Sequence, residues 1–202
     1  MKKLGLILLS FIMVLSLCAC ASIESQAEGA VKDMLDAFKA LDFETMGKYM
    51  DLGDMELSED EGVNSEQGKI LLGALVDDLD YKIISSEKSD EANVVVKTEI
   101  TAINMAAVIK DYTSSALEYA LSYVFSSDEP TDEEKEAKNQ EFFLAAIEKN
   151  KADKKVTEVD VHMTKYEDGW RCDGGEVLAD ALLGGLKGAV EDFENSLSNA
   201  FN

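Results

Sequence analysis

One imidazole, His162, and three thiols, Cys18, Cys20 and Cys172, are the nucleophiles and soft metal ligands of this 202-residue chain. His162 has no second imidazole to pair with. It alternates onto the polar side of a strand-like stretch beside Asp160 and Thr164, where a solvated histidine is expected. Cys172 follows Trp170 and Arg171. Arg171 alternates to the opposite face, so the thiol reads as a small core residue rather than an activated nucleophile. Six carboxylates (Asp51, Asp54, Glu56, Glu59, Asp60 and Glu61) crowd one stretch, and oxygen donors of this kind suit calcium. A calcium loop of the helix–loop–helix type needs acids at positions 1, 3 and 5 and Gly at 6. Counted from Asp51, positions 3 and 5 are Gly53 and Met55, so a solvated acidic loop is the expectation. Tyr81, Asp111 and Tyr112 have side chains able to serve as acid, base or hydroxyl donor, but their spacing selects none of them. No catalytic, cofactor-binding or metal-ligating residue is therefore assigned, no cofactor is expected, and the chain is expected not to be an enzyme.

The elements that position these side chains follow from periodicity. Val31, Met34, Leu35, Phe38 and Leu41 form one helical stripe. Asp42 is placed to cap a short helix carrying Phe43, Met46 and Met50. Residues 51–68 read as loop, and Ile70, Leu71, Ala74, Leu75 and Leu79 mark a third helix. A strand begins near Tyr81, and 87–91 reads as a polar turn. From Ala92 to Ile103, Val94, Val96, Thr98 and Ile100 alternate with Asn93, Lys97, Glu99 and Thr101, which predicts a strand with one wet face. Helical spacing returns in Ala106, Ile109, Ala116, Leu117, Ala120, Leu121 and Val124. Thr131 followed by Glu134 has the form of a capping box and opens another helix. The two helices form a hairpin over about 104–150. Val156 to Tyr166 alternates again, Asp168-Gly169 signals a hairpin turn, and Trp170 and Cys172 return on a short strand. One final helix is expected to carry Leu178, Leu182, Leu186, Val190, Phe193 and Leu197, weakened at Gly184, Gly185 and Gly188. Helices segregated from a mostly antiparallel sheet make an α+β domain over 27–202.

Composition narrows the function classes. Acidic residues outnumber basic ones 41 to 19, a formal charge of −22. Nucleic-acid binding needs cationic side chains to neutralise phosphates, so a nucleic-acid partner is excluded. Lys outnumbers Arg 18 to 1, a bias of A+T-rich genomes that, with the acidic balance, points to a Gram-positive source.

The amino end is the most specific signal. Met1-Lys2-Lys3 is followed by an apolar run from Leu4 to Leu17. That run is shorter than the roughly 20 residues a spanning helix requires and fits the core of a secretory signal. It closes in Leu17-Cys18-Ala19-Cys20, which resembles the lipobox of bacterial lipoproteins: Leu, a variable position, a small residue, then Cys. Cys20 fits better than Cys18, because small Ala19 precedes it. The resemblance implies a signal peptide over 1–19 and a diacylglyceryl thioether on Cys20. Residues 20–26 would then be the lipidated cysteine and its tether. Two acyl chains hold a protein to a bilayer where one is marginal. The competing reading is an ordinary secretory signal cut near Ala19 or Ala21. Processing before Cys20 would leave 17 basic and 41 acidic residues, a charge of −24. It would also leave Cys172 as the single free thiol.

Two further stretches resemble nuclear-transport-factor-two-like domains, cone-shaped folds in which a curved sheet wraps a helix. They are the opening helix followed by Leu41-Asp42-Phe43-Glu44, and the hairpin Tyr166-Glu167-Asp168-Gly169-Trp170. The resemblance covers roughly 27–103 and 156–173. The inserted hairpin and the C-terminal helix depart from it, and either could fill the cone. The expectation is a lipid-anchored, extracytoplasmic protein on the outer leaflet of the cell membrane, binding a small ligand or an envelope protein. A small enzyme using a cone-shaped pocket, or a surface structural protein without a pocket, are the alternatives.

Overall fold

The computed structural model describes residues 22–50, 65–124, 130–173 and 175–200. Cys20 and the acidic stretch 51–61 lie outside the described residues.

Helix α1 (Ile23–Lys39) starts at Ser22, whose hydroxyl accepts a bond from the Ser25 N–H at 3.2 Å. The segment expected to be a tether up to Gln26 is therefore helical from Ile23. Ser22 is a good cap, Glu24 suits the positive end of the helix, and Ala27 is already fully buried. Packing thus draws the helix start forward. Its inner face carries Ala27, Ala30, Val31, Met34, Leu35 and Phe38, all buried. Leu41 takes the left-handed conformation at φ 55°. That reverses the chain into α2 (Phe43–Met46), which Asp42 caps by accepting from the Thr45 N–H at 3.0 Å. This bond holds the Asp42 carboxyl below its usual range. Helix α3 (Glu66–Val76) is capped by Ser65.

Four strands follow: β1 (Asp80–Lys88), β2 (Asn93–Ile103), β3 (Lys154–Tyr166) and β4 (Gly169–Asp173). They form one curved antiparallel sheet in the order β1-β2-β3-β4. Val94, Val96, Thr98, Ile100, Val159, Val161 and Met163 point to the buried face. On the other face Lys97 reaches both Glu158 and Asp160 across the strand pair, at 4.0 and 3.8 Å. In β1 one extra residue, Ile84, breaks the register between Ile83 and Ser85. Before this bulge Tyr81 and Ile83 turn toward the core. After it Ser86 does, and its hydroxyl donates to Glu28 of α1 at 2.6 Å.

The concave face is filled by side chains of α1 and of α6 (Gly175–Leu182), whose Leu178, Ala181 and Leu182 are buried with the sheet residues. Part of the C-terminal helix, rather than the inserted hairpin, packs on the buried face of the sheet. The expected single C-terminal helix is two. Gly184 and Gly185 have φ +63° and +78°, which ends α6 before α7 (Leu186–Ala200) begins. The cause is close approach: a Cβ on Gly184 would lie 1.8 Å from the Ile103 carbonyl oxygen.

The insertion is a pair of long helices, α4 (Met105–Tyr123) and α5 (Asp132–Asn150). The capping box at its centre is complete. Glu134 N–H donates to the Thr131 hydroxyl at 3.3 Å, and Thr131 N–H donates to the Glu134 carboxylate at 2.8 Å. These helices pack on each other, on α3 and on α7, around a second small core of Ile103, Met105, Val108, Ala146, Ile147 and Ala189. Lys151 bonds Asp77 at 2.9 Å and Lys154 lies 3.4 Å from Asp78, tying the end of α5 and the start of β3 to the end of α3.

Candidate functional site

The two ends of the molecule differ. Helix α1 runs antiparallel to β1: Glu28 meets Ser86, Asp36 meets Tyr81, and Lys39 meets Asp80. Its amino end therefore sits beside the β1–β2 and β3–β4 turns, where Lys165 donates to Gln26 at 2.9 Å. Helices α4, α5 and α7 depart from the opposite end, beside Ile103 and Lys154. Strand β2 alone spans about 33 Å between these ends at about 3.3 Å per residue.

Beside the amino-terminal half of α1 lies an open cleft of about 620 Å³ lined by Asp33, Lys48, Tyr49, Asp168, Trp170 and Arg171 among others. Several of its polar groups bond one another. Arg171 donates to Asp168 at 2.7 Å and to the Lys48 carbonyl at 2.6 Å, and the Tyr49 hydroxyl donates to Asp33 at 3.4 Å. Burial and the neighbouring Asp33 raise the Tyr49 pKa, so the phenol stays protonated. Trp170 forms part of the wall, with the Lys165 ammonium 5.7 Å from its ring centre. Arg171 lies three residues after Asp168, a spacing that closes an ion pair across the turn.

A second cleft, about 370 Å³, opens between α3, α4 and α5. Leu71, Tyr112 and Phe143 form its floor, with the two rings edge to face at 5.7 Å, and Gln67, Asn139 and Gln140 stand at its rim. A third groove of about 410 Å³ runs along the wet face of the sheet past Asn93, His162, Thr164 and Asp173.

The side chains considered for acid–base work are not brought together. The Tyr81 hydroxyl donates to Asp36 at 2.7 Å on the α1 side of β1. Burial, with Asp36 next to it, pushes its pKa far above the usual phenol value. Asp111 lies on α4, where Asn150 and Lys149 donate to its two oxygens at 2.7 and 2.9 Å and hold its carboxyl below the usual range. Tyr112 belongs to the floor of the second cleft. His162 is exposed on β3, across from Val95 on one side and Asp173 on the other. Cys172 packs against the main core, and burial raises its thiol pKa to about 11. No group of three or more metal-competent side chains occurs among the described residues.

The most conspicuous unfilled surface is apolar. Leu117 and Leu121 on α4 and Val124 at its C-cap are 61%, 58% and 59% exposed, and Val190 and Leu197 on α7 are also exposed. The opposite side of α4 is covered: Tyr112 stacks edge-on against Phe143, and Tyr119 against Phe142, both from α5. Single exposed apolar residues are ordinary, but a stripe at i, i+4 and i+7 beside a second helix is a patch.

No protein-family model matches this chain, and a comparison with curated proteins finds no match. Among solved structures it is similar to a Bacillus subtilis protein described as "putative lipoprotein (ycdA)", with 13% identity and a TM-score of 0.43. The match covers 81% of this chain and 49% of that one, so the chain spans about half of its length. Likeness at this level carries no argument about function. No helix among the described residues is long and apolar enough to cross a membrane.

Proposed function

We propose that this chain is a lipid-anchored, extracytoplasmic interaction module, moored to the outer leaflet through a diacylglyceryl group on Cys20. The observation that carries the interaction half of this reading is the uncovered stripe Leu117–Leu121–Val124, on the helices that leave the sheet at the end opposite the start of α1. The anchor half rests on the lipobox and on Ser22, which caps α1 only two residues after Cys20. With so short a tether, the cleft end of the domain would face the bilayer and the helical end would project outward. In this reading the domain is a nuclear-transport-factor-two-like cone closed by α6. A non-catalytic role is supported by the cleft beside α1, where Arg171 is bound to Asp168 and to the Lys48 carbonyl and Asp33 accepts from Tyr49. The small-ligand form of the reading is supported by the cleft over Leu71, Tyr112 and Phe143, which Gln67, Asn139, Gln140 and Glu136 also line.

The anchor is tested by growing cells with labelled fatty acid. The wild-type chain should take up label and partition into the detergent phase, and a Cys20→Ala variant should do neither. Persistent labelling of the variant would place the lipid elsewhere. The interaction half is tested by the binding measurements that follow.

A further inference from the structure

We propose that the exposed α4–α7 face docks an amphipathic helix of a partner protein whose flanks are basic. The inference rests on the interaction reading and names the chemistry of the partner.

Three observations lead to a helix with positive flanks. First, Leu117, Leu121 and Val124 lie at the spacing by which one helix presents anchors to another. Second, the face is a two-helix surface. Met105 N–H donates to the Gly184 carbonyl at 3.2 Å, so α7 starts where α4 starts, and the two helices pack along each other. Val190 and Leu197 are exposed on that neighbouring helix. Third, the exposed charges on the two helices beyond their first turns are Lys110, Glu118, Glu191, Asp192 and Glu194, mostly acidic. Among the described residues, none of these four carboxylates forms an ion pair. An apolar seam flanked by unneutralised acids, Glu118 on α4 and Glu194 on α7 nearest to it, is complementary to a helix with leucine-like anchors and lysine- or arginine-rich flanks.

The same charges disfavour the other occupants. A second copy would bring an identical acidic rim against this one, on a chain whose net charge is −22. An anionic leaflet would repel the face in the same way.

The test uses the mature chain in phosphatidylcholine nanodiscs, or in solution if it carries no lipid. The probe is a fluorescein-labelled Lys/Leu peptide of about five helical turns with its leucines on one face. Its controls are a scrambled peptide of the same composition and a Glu/Leu counterpart. Micromolar binding of the amphipathic peptide is expected. The scrambled and acidic peptides should bind at least about tenfold more weakly, which is about 1.4 kcal/mol. The decisive variant is Leu117→Glu/Leu121→Glu. It adds two negative charges, so simple charge attraction would tighten binding, whereas loss of the apolar seam weakens it about tenfold or more. Both positions are exposed, so the variant should keep its circular dichroism and melting temperature. Val190→Glu/Leu197→Glu is the second variant should the first misfold.

Equal or tighter peptide binding by the variants overturns the proposal, as does equal binding of the scrambled peptide. If the peptide fails to bind but the wild-type chain sediments as a dimer that Leu117→Glu/Leu121→Glu dissociates, the basic partner is wrong and the interaction reading stands. If the chain instead clusters on phosphatidylglycerol vesicles through this face, the partner is a membrane and the proposal falls. If nothing engages the face, both readings fall.

Discussion

Substituting alanine for two glycines only four residues apart should change stability in opposite directions. Gly184→Ala places a Cβ 1.8 Å from the Ile103 carbonyl oxygen and 3.0 Å from its carbon, at φ +63°. The left-handed backbone costs a non-glycine residue about 1–2 kcal/mol. The Cβ contact is with backbone at the end of a central strand, so relief requires moving α6 or β2, about 1–3 kcal/mol by analogy with overpacked cores. Any such movement also stretches the Met105 N–H bond to the Gly184 carbonyl, about 1 kcal/mol. Together these come to about 3–6 kcal/mol, or a fall in Tm of about 10–20 °C for a domain of this size. Gly188→Ala meets nothing within 4 Å and lies in the first turn of α7. It should raise stability by about 0.5–1 kcal/mol through reduced backbone entropy in the unfolded chain. The assay is urea unfolding followed by circular dichroism, with the slope checked for constancy. A continuous C-terminal helix would make both substitutions stabilising. A stabilised Gly184→Ala would therefore refute the helix break and the close approach behind it.

Other expectations follow from the same geometry. Leu35→Ala, in a fully buried position on α1, should cost about 2–5 kcal/mol, whereas Leu117→Ser should stay within about 0.5 kcal/mol. Both are read by thermal melts, and a large loss at Leu117 would show that something covers the α4 stripe. Thr131→Ala removes the capping box and should cost about 1 kcal/mol, seen as earlier loss of helical signal. Cys172, with its pKa raised to about 11, should react with a disulfide reagent at pH 8 at least about 100-fold more slowly than after unfolding. Because the folded value lies above the unfolded one, stability should also decline as pH rises above about 9. Asp111 has the opposite sign: its carboxyl is depressed by Asn150 and Lys149. Its support for the α4–α5 pairing should be complete above about pH 5 and vanish as pH falls through its lowered pKa. An acid titration in which Asp111→Asn matches the wild-type midpoint would contradict that.

The sequence carried the elements whose pattern is local. The stripe from Val31 to Phe38, the alternation from Val94 to Ile100 and the Thr131–Glu134 box each repeat a period or a spacing, and each appears in the structure as expected. What it lacked were features decided by distant neighbours. The break at Gly184-Gly185 exists because β2 ends against it, and the leucine spacing from Leu178 to Leu197 runs through it unchanged. The Ile84 bulge leaves no mark in a run of five strand-forming residues. The tether became helix because Ala27 has a core to enter. The candidate surface was half legible. Leu117, Leu121 and Val124 were visible as one face of a helix, but periodicity shows which face is apolar and is silent on whether another element covers it. The clefts were invisible, since Asp33, Tyr49 and Arg171 meet only through the fold.

The sheet is open, and its two rims are guarded by different means. Along β4 the Cys172 N–H is taken by the Tyr49 carbonyl at 2.6 Å, and Arg171 holds Lys48 beside it, so the segment after α2 seals that rim. Along β1 no strand adds on among the described residues, and the kink at Ile84 twists the hydrogen-bonding row out of line. Two copies meeting side by side find no straight ladder to extend, so crowding in a plane would not seed end-to-end stacking into fibres. Deleting Ile84 would straighten that rim, and the first consequence would be polymerisation rather than unfolding.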